Sequence, residues 1–187
     1  FARMAAFAVE AEKVGGDFFE YIWVDESQAK LGIVTVDVRA KPSAGAMTAV
    51  LTSGMIRSKV ATFREPRLLL RRINKTMYRK TDRHVFTAMS FAALDTGHKT
   101  LTIANAGQTE PLLLRDGRIK YLQVEGVRFP LGLQKQVEYN ETTLALQAGD
   151  LLVLYTDGLT DAMDAQQESF GHERLERTLR GLPGQLS

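Results

Sequence analysis

A mixed α+β domain, with antiparallel sheets packed face to face and helices outside, is what the order of apolar patterns along this chain predicts. Strand patterns come first, two consecutive helical stretches follow, and a long series of short strands fills most of the remainder. Turn-forming residues punctuate that series, as at Asp95-Thr96-Gly97-His98 and Arg115-Asp116-Gly117-Arg118. With 187 residues and 44% hydrophobic content, the chain has the size and core material of one domain, read over residues 1–187.

The elements follow in order. Residues 1–9 read as a strand or half-buried segment. A hairpin comes next, with a strand over 18–24, a polar turn Asp25-Glu26-Ser27-Gln28-Ala29, and a strand over 30–36. Ala44, Ala46, Met47, Val50, Leu51, Met55, Ile56 and Val60 recur at helical spacing over 43–61, with Pro42 suited to the first turn. A second helix is expected over 66–80, where Arg67, Arg71, Arg72, Lys75, Arg79 and Lys80 surround Leu68, Leu69, Leu70, Ile73 and Met77. This basic cluster, which extends to Arg64 and Arg83, reads as the solvated face of an amphipathic helix. Strands are then expected over 85–94, 100–105, 111–114, 118–123, 137–146 and 151–156, and a last helix over 170–182. Met47, Met55 and Met89 read as core filling.

Composition excludes several functions. The 24 basic and 22 acidic residues leave a formal charge of +2, too balanced for a nucleic-acid binder. No apolar stretch reaches the roughly 18 to 20 residues of a membrane helix, and the N-terminus lacks a secretory pattern, so a soluble domain is expected, with the cytoplasm as its expected location. The lack of cysteine rules out disulfides and thiolate chemistry.

Three aspartates stand where apolar runs give way to glycine or a turn: Asp17 in Val14-Gly15-Gly16-Asp17, Asp37 at the end of the run from Leu31, and Asp157 in Tyr155-Thr156-Asp157-Gly158. If the hairpin turn is centred on Ser27, Asp17 faces Asp37 directly. Paired strand positions set Cβ atoms roughly 4.5 to 5.5 Å apart, and like charges there repel. A cation between them is the natural resolution. Oxygen donors and three scattered histidines, His84, His98 and His172, point to a hard divalent ion.

Seven segments in order extend this reading: Val14-Gly15-Gly16-Asp17-Phe18-Phe19, Asp37-Val38 before a small-residue helix, Ala104-Asn105-Ala106-Gly107, Phe129-Pro130-Leu131-Gly132, Gln147-Ala148-Gly149-Asp150-Leu151-Leu152, Tyr155-Thr156-Asp157-Gly158-Leu159-Thr160-Asp161-Ala162 and Phe170-Gly171-His172-Glu173-Arg174-Leu175. Together they resemble the SpoIIE/RsbU-type branch of the PPM (PP2C-like) protein serine/threonine phosphatases. The resemblance implies an α-β-β-α sandwich with a dinuclear Mn²⁺ or Mg²⁺ centre. It gives Asp37 the role of bridging both ions, with the Val38 carbonyl as a further ligand, Asp17 on one ion and Asp157 on the other. A metal-bound water of lowered pKa would attack phosphorus in line. The implied substrate is a phosphorylated STAS-domain anti-anti-sigma factor in a bacterial partner switch, with an upstream sensor or receiver domain; a homodimer is compatible with the resemblance, and neither nucleic acid nor a membrane is expected as partner.

This chain departs from the family pattern in two places. The family has Asp-Val-Ser-Gly-Lys-Gly after the bridging aspartate, where this chain has Asp37-Val38-Arg39-Ala40-Lys41-Pro42, which predicts an altered or stiffer loop. The family's closing Asp-Asp-x-Thr motif and last strand are not found before Ser187, so one metal would lose a carboxylate and one sheet a strand. An alternative function follows, a phosphatase-like module that binds a STAS or anti-sigma partner with little turnover. Lys13, Arg39 and Lys41 lie near the expected metal edge and read as solvated side chains; Asp150 reads as a turn residue, and Asp161 and Asp164 as caps or solvated groups. Gln108 stands where relatives often have histidine.

Overall fold

A computed structural model describes residues 2–9, 16–80 and 85–182. Its elements are β1 (Phe18–Trp23), β2 (Lys30–Arg39), α1 (Pro42–Lys59), α2 (Pro66–Lys80), β3 (Phe86–Asp95), β4 (Thr100–Ala106), β5 (Leu112–Arg115), β6 (Arg118–Tyr121), β7 (Thr142–Ala145), β8 (Leu151–Val153), α3 (Asp157–Thr160) and α4 (Gly171–Gly181). The fold is mixed α+β with two antiparallel sheets, as expected. The chain divides into two compact units, one of Phe1–Gln108 with Val124–Leu146 and one of Thr109–Gln123 with Gln147–Ser187.

The first unit rests on a five-stranded sheet in the order β1-β2-β3-β4-β7. The hairpin register runs from Phe18 opposite Val36 to Trp23 opposite Leu31, symmetric about residue 27 as the turn chemistry requires. β2 is paired along its whole length with β3, from Lys30 opposite Asp95 to Arg39 opposite Phe86. Its side chains are buried from Val34 to Val38. Such burial on both faces accounts for the nearly unbroken apolar run that ends at Asp37.

The two helices of this unit use opposite logic. α2 buries Leu69, Leu70, Ile73 and Met77 completely and turns Arg67, Arg71, Arg72, Lys75 and Arg79 outward, which is the amphipathic pattern read from the sequence. α1 begins at Pro42, yet its inner face carries Thr48, Thr52, Met55 and Ile56, with the Thr52 hydroxyl donating to the Thr48 carbonyl at 2.7 Å. The spacing of Met47, Val50 and Leu51 places them together on the outer face, so Met47 is 75% exposed and is not core filling, unlike Met55 and Met89. Glu20 of β1 fixes α1 by accepting from Ser53 Oγ at 3.2 Å and pairing with Arg57.

Two expectations in this unit need correction. Residues 2–9 form no strand and are exposed throughout; they do not pair with β1, whose only strand partner among the described residues is β2. The strand expected over 137–146 is confined to β7; Val137 and Tyr139 are buried without ladder pairing, and Tyr139 instead donates its hydroxyl to the Phe129 carbonyl at 2.8 Å. Burial pushes the Tyr139 phenol well above its ordinary pKa.

The second unit holds a three-stranded sheet, β6-β5-β8, closed over a core of Leu112, Tyr155, Leu175 and Leu179. β5 and β6 meet through the two-residue turn Asp116-Gly117, with Arg115 opposite Arg118. Arg115 grips Asp150 with two bonds, Nε to Oδ1 at 2.7 Å and Nη2 to Oδ2 at 2.6 Å. That guanidinium holds the Asp150 carboxyl below its ordinary pKa, while Asp150 also closes its own turn by accepting from the Gln147 amide at 2.8 Å. Asp150 is thus a turn residue, as read. No helix among the described residues is long and apolar enough to cross a membrane.

Candidate metal-binding and catalytic site

The first carboxylate pair is placed by the hairpin. Continuing the β1–β2 register by one residue beyond Phe18 and Val36 sets Asp17 opposite Asp37. Gly16 verifies this from the other side. A Cβ built there would lie 2.8 Å from the Val38 carbonyl oxygen and 3.1 Å from the Val38 Cβ, so residue 16 does sit against residue 38 and has room for nothing larger than glycine. Asp17 is exposed, whereas Asp37 is buried at 6%. The rest of the N-terminal motif, Val14 and Gly15 with Lys13 before it, lies outside the described residues.

Arg39 Nε donates to Asp37 Oδ2 at 2.9 Å, so Arg39 is not simply a solvated side chain. The contact was within reach of sequence reasoning, since residues two apart on a strand share a face. The same face continues inward through Thr35, Ser90 and Asn105, which are successive cross-strand partners. Thr35 Oγ1 and Ser90 Oγ are buried with no hydrogen-bond partner among the described residues, an uncommon arrangement for buried hydroxyls. Beyond Arg39 the chain bends at Ala40, and α1 starts directly at Pro42 with Lys41 exposed before it.

The Asn105 and Pro130 motifs form one structural unit beside this strand end. Asn105 bridges the chain's reversal, its Oδ1 accepting from the Gln108 amide at 2.8 Å and its Nδ2 donating to the Gln108 carbonyl at 2.9 Å. Gly107 takes a positive φ of 82°, and a Cβ there would meet Pro130 Cγ at 2.7 Å. Leu131 then bridges to Thr87 of β3, and Asn74 of α2 accepts from the Gly132 amide at 2.9 Å. These motif residues therefore set backbone geometry. Gln108, at the position read against histidine, is buried.

Asp157 lies in the second unit and opens α3, a single turn that sequence periodicity could not show because four residues are too few to display one. Its carbonyl accepts from the Thr160 hydroxyl at 3.1 Å and the Asp161 amide at 2.8 Å. Asp161 is exposed. Asp164 Oδ1 accepts from the Gln166 and Glu168 amides at 2.9 and 3.0 Å, so it organises a turn. His172 Nδ1 lies 3.4 Å from the Tyr155 hydroxyl. His98 bonds Asp95 through Nδ1 at 3.0 Å and through its amide at 2.9 Å. Those bonds, the amide's first, hold the Asp95 carboxyl down at about 2.

Among the described residues, no group of three or more histidine, aspartate or glutamate side chains converges as a metal site. The hairpin end offers two carboxylates, Asp17 and Asp37, and the Val38 carbonyl. These are hard oxygen donors of the kind Mg²⁺ and Mn²⁺ take, and Mg²⁺ usually completes such a partial set with water and substrate phosphate. The donors fit a hard divalent ion in kind and supply part of a coordination shell.

Comparison with known proteins agrees with this architecture. The family described as Stage II sporulation protein E (SpoIIE) matches residues 27–186. Phosphoserine phosphatase RsbU of Bacillus subtilis is 23% identical over 158 residues, covering 84% of this chain and 46% of that protein, so the chain spans less than half of the relative's length. The crystal structure of the RsbU and RsbW domains of a Mycobacterium tuberculosis protein superposes with a TM-score of 0.78 at 20% identity, covering 94% of this chain and 49% of the other. The PP2C phosphatase domain of SpoIIE from Bacillus subtilis gives a TM-score of 0.76 at 16% identity, covering 91% of this chain and 48% of the other. With the motifs in order, the two antiparallel sheets and a match over most of its length, this chain belongs to the SpoIIE family, as a SpoIIE/RsbU-type domain of the PPM (PP2C-like) serine/threonine phosphatases.

Proposed function

We propose that the chain is a metal-dependent protein phosphatase that removes phosphate from serine or threonine of a phosphorylated STAS-domain protein in a bacterial partner switch. The observation that carries this reading is the opposition of Asp17 and Asp37 at the hairpin end, with Gly16 packed on the Val38 carbonyl. Asp37 would contact both of two Mn²⁺ or Mg²⁺ ions, Asp17 and the Val38 carbonyl one of them, and Asp157 the other. Bound there, the ions supply an acidified water and neutralise phosphoryl charge.

The protein's own contribution is placement. β2, paired along its whole length with β3, holds Asp37, and the glycine at 16 lets the hairpin strands close without a side chain against Val38. Exposed Lys41 adds positive charge next to the strand end, suited to drawing in a phosphorylated partner. The STAS substrate is supported by the relative named as a phosphoserine phosphatase and by the solved protein that joins an RsbU domain to an RsbW domain. An upstream sensor or receiver domain, a cytoplasmic setting and a homodimer belong to the same reading.

Phosphate release from p-nitrophenyl phosphate and from a phosphoserine STAS protein tests it, with Mn²⁺ against EDTA. Turnover with Mn²⁺ that disappears in EDTA is expected; equal rates in both would overturn metal dependence. The guanidinium on Asp37 favours one second reading, a phosphatase-like binding module. Tight binding of the phosphorylated protein without phosphate release would select it.

A further inference from the structure

We propose that Arg39 is a resident counter-cation of Asp37, which a divalent ion has to displace, so that this side chain sets the metal affinity of the site. The inference rests on the reading of Asp37 as a metal ligand. A buried carboxylate facing a second carboxylate across a strand pair needs a positive partner in the metal-free protein. Arg39 provides one, with Nε 2.9 Å from Oδ2 and the two residues on the same face of β2. The Asp37 side chain is 9% exposed and that of Arg39 is 51% exposed, so the guanidinium reaches the carboxylate from the solvent side.

Competition follows from the shared carboxylate. A guanidinium at 2.9 Å from Oδ2 and a divalent ion on the same carboxylate repel each other and divide its negative charge, so each weakens the hold of the other. The half-exposed guanidinium can swing out into water on loading, at a cost set by its charge-assisted bond to a buried carboxylate. The pairing therefore stabilises the metal-free protein and is given up on loading. By linkage, the stability that Arg39 contributes without metal should equal what it takes from metal binding. At the residue where the related motif carries serine, this chain thus has a built-in threshold for metal.

Mn²⁺ calorimetry on the wild type, Arg39→Ser, Arg39→Lys and Asp37→Asn, with melting curves in EDTA and in saturating Mn²⁺, tests the proposal. Arg39→Ser is expected to bind Mn²⁺ about tenfold more tightly, to melt lower than wild type in EDTA, and to match it in saturating Mn²⁺. Arg39→Lys should keep most of the competition. Unchanged or weaker Mn²⁺ affinity in Arg39→Ser, while Asp37→Asn loses binding, would overturn the competition and leave the metal-site reading intact. Wild-type affinity in Asp37→Asn would sink that reading and this inference with it.

Discussion

Asp37 and Asp157 are both short acidic side chains at the end of an apolar run, yet the molecule holds them by different means. Asp37 sits on a ten-residue strand whose register is fixed by β1 on one side and β3 on the other. Asp157 opens a four-residue helix and is held by a short loop after a three-residue strand. A strand paired on both edges cannot shift by one residue without turning every side chain to the opposite face. A one-turn helix has no such lock. The proposed ligands thus divide into a rigid half around Asp37 and an adjustable half around Asp157, and the difference can be attacked from both sides.

The largest effect is expected from the carboxylates themselves. Asp37→Asn should weaken Mn²⁺ binding by about 100-fold or more, beyond the usual loss for an outer-shell group, whereas Asp157→Asn should cost about tenfold. Calorimetry on the two variants measures the ratio. Equal, small losses would erase the distinction and the bridging role of Asp37 together.

Backbone support comes next. Gly16→Ala forces a methyl to within 2.8 Å of a main-chain oxygen that the strand cannot easily move. A loss of about 1 to 3 kcal/mol is expected by denaturant titration, together with weaker Mn²⁺ binding. Full stability in this variant would mean that the strand end opens freely, and the rigid half would no longer be rigid.

A smaller effect tests the approach to Asp157. Asp150 and Arg115 tie the turn before β8 to β5, and the folded protein lowers the Asp150 pKa through that guanidinium. The carboxyl of an unfolded chain titrates near about 3.9, so this contribution is complete above that pH and is lost as the pH falls below it. Asp150→Asn should cost about 1 to 2 kcal/mol at pH 7, discounted for the partly exposed arginine, and the gap to wild type should narrow on acidification. A gap constant down to pH 2 would show that the turn, and not the ion pair, does the anchoring.

Much of the rigid half was legible in the sequence because it obeys counting rules. A polar five-residue turn between apolar runs fixes the register, and the register puts Asp17 against Asp37. The bounds of α2 follow from its periodicity for the same reason. Counting fails where tertiary packing overrides pattern. Met47 obeys helical spacing but faces outward, because α1 presents threonines to the sheet instead. Val137 and Tyr139 are buried as a strand's residues would be, with a side-chain bond in place of a ladder. Arg39 reads as solvated because a lone arginine near a turn usually is; only the two-residue period ties it to Asp37.

One residue of the hairpin gives the first unit an optical signature of its own. Trp23 is the single tryptophan of the chain, 44% exposed on the edge strand β1, while the second unit carries tyrosine only, at Tyr121 and Tyr155. Excitation at the red edge of the indole band therefore reports on the first unit alone, and its emission shifts when the edge strand leaves the sheet. Near-ultraviolet dichroism sums the tyrosines of both units, Tyr21, Tyr78 and Tyr139 in the first and Tyr121 and Tyr155 in the second, and so follows the whole molecule. Whether the two halves melt as one body or in sequence can thus be watched in the unlabelled protein.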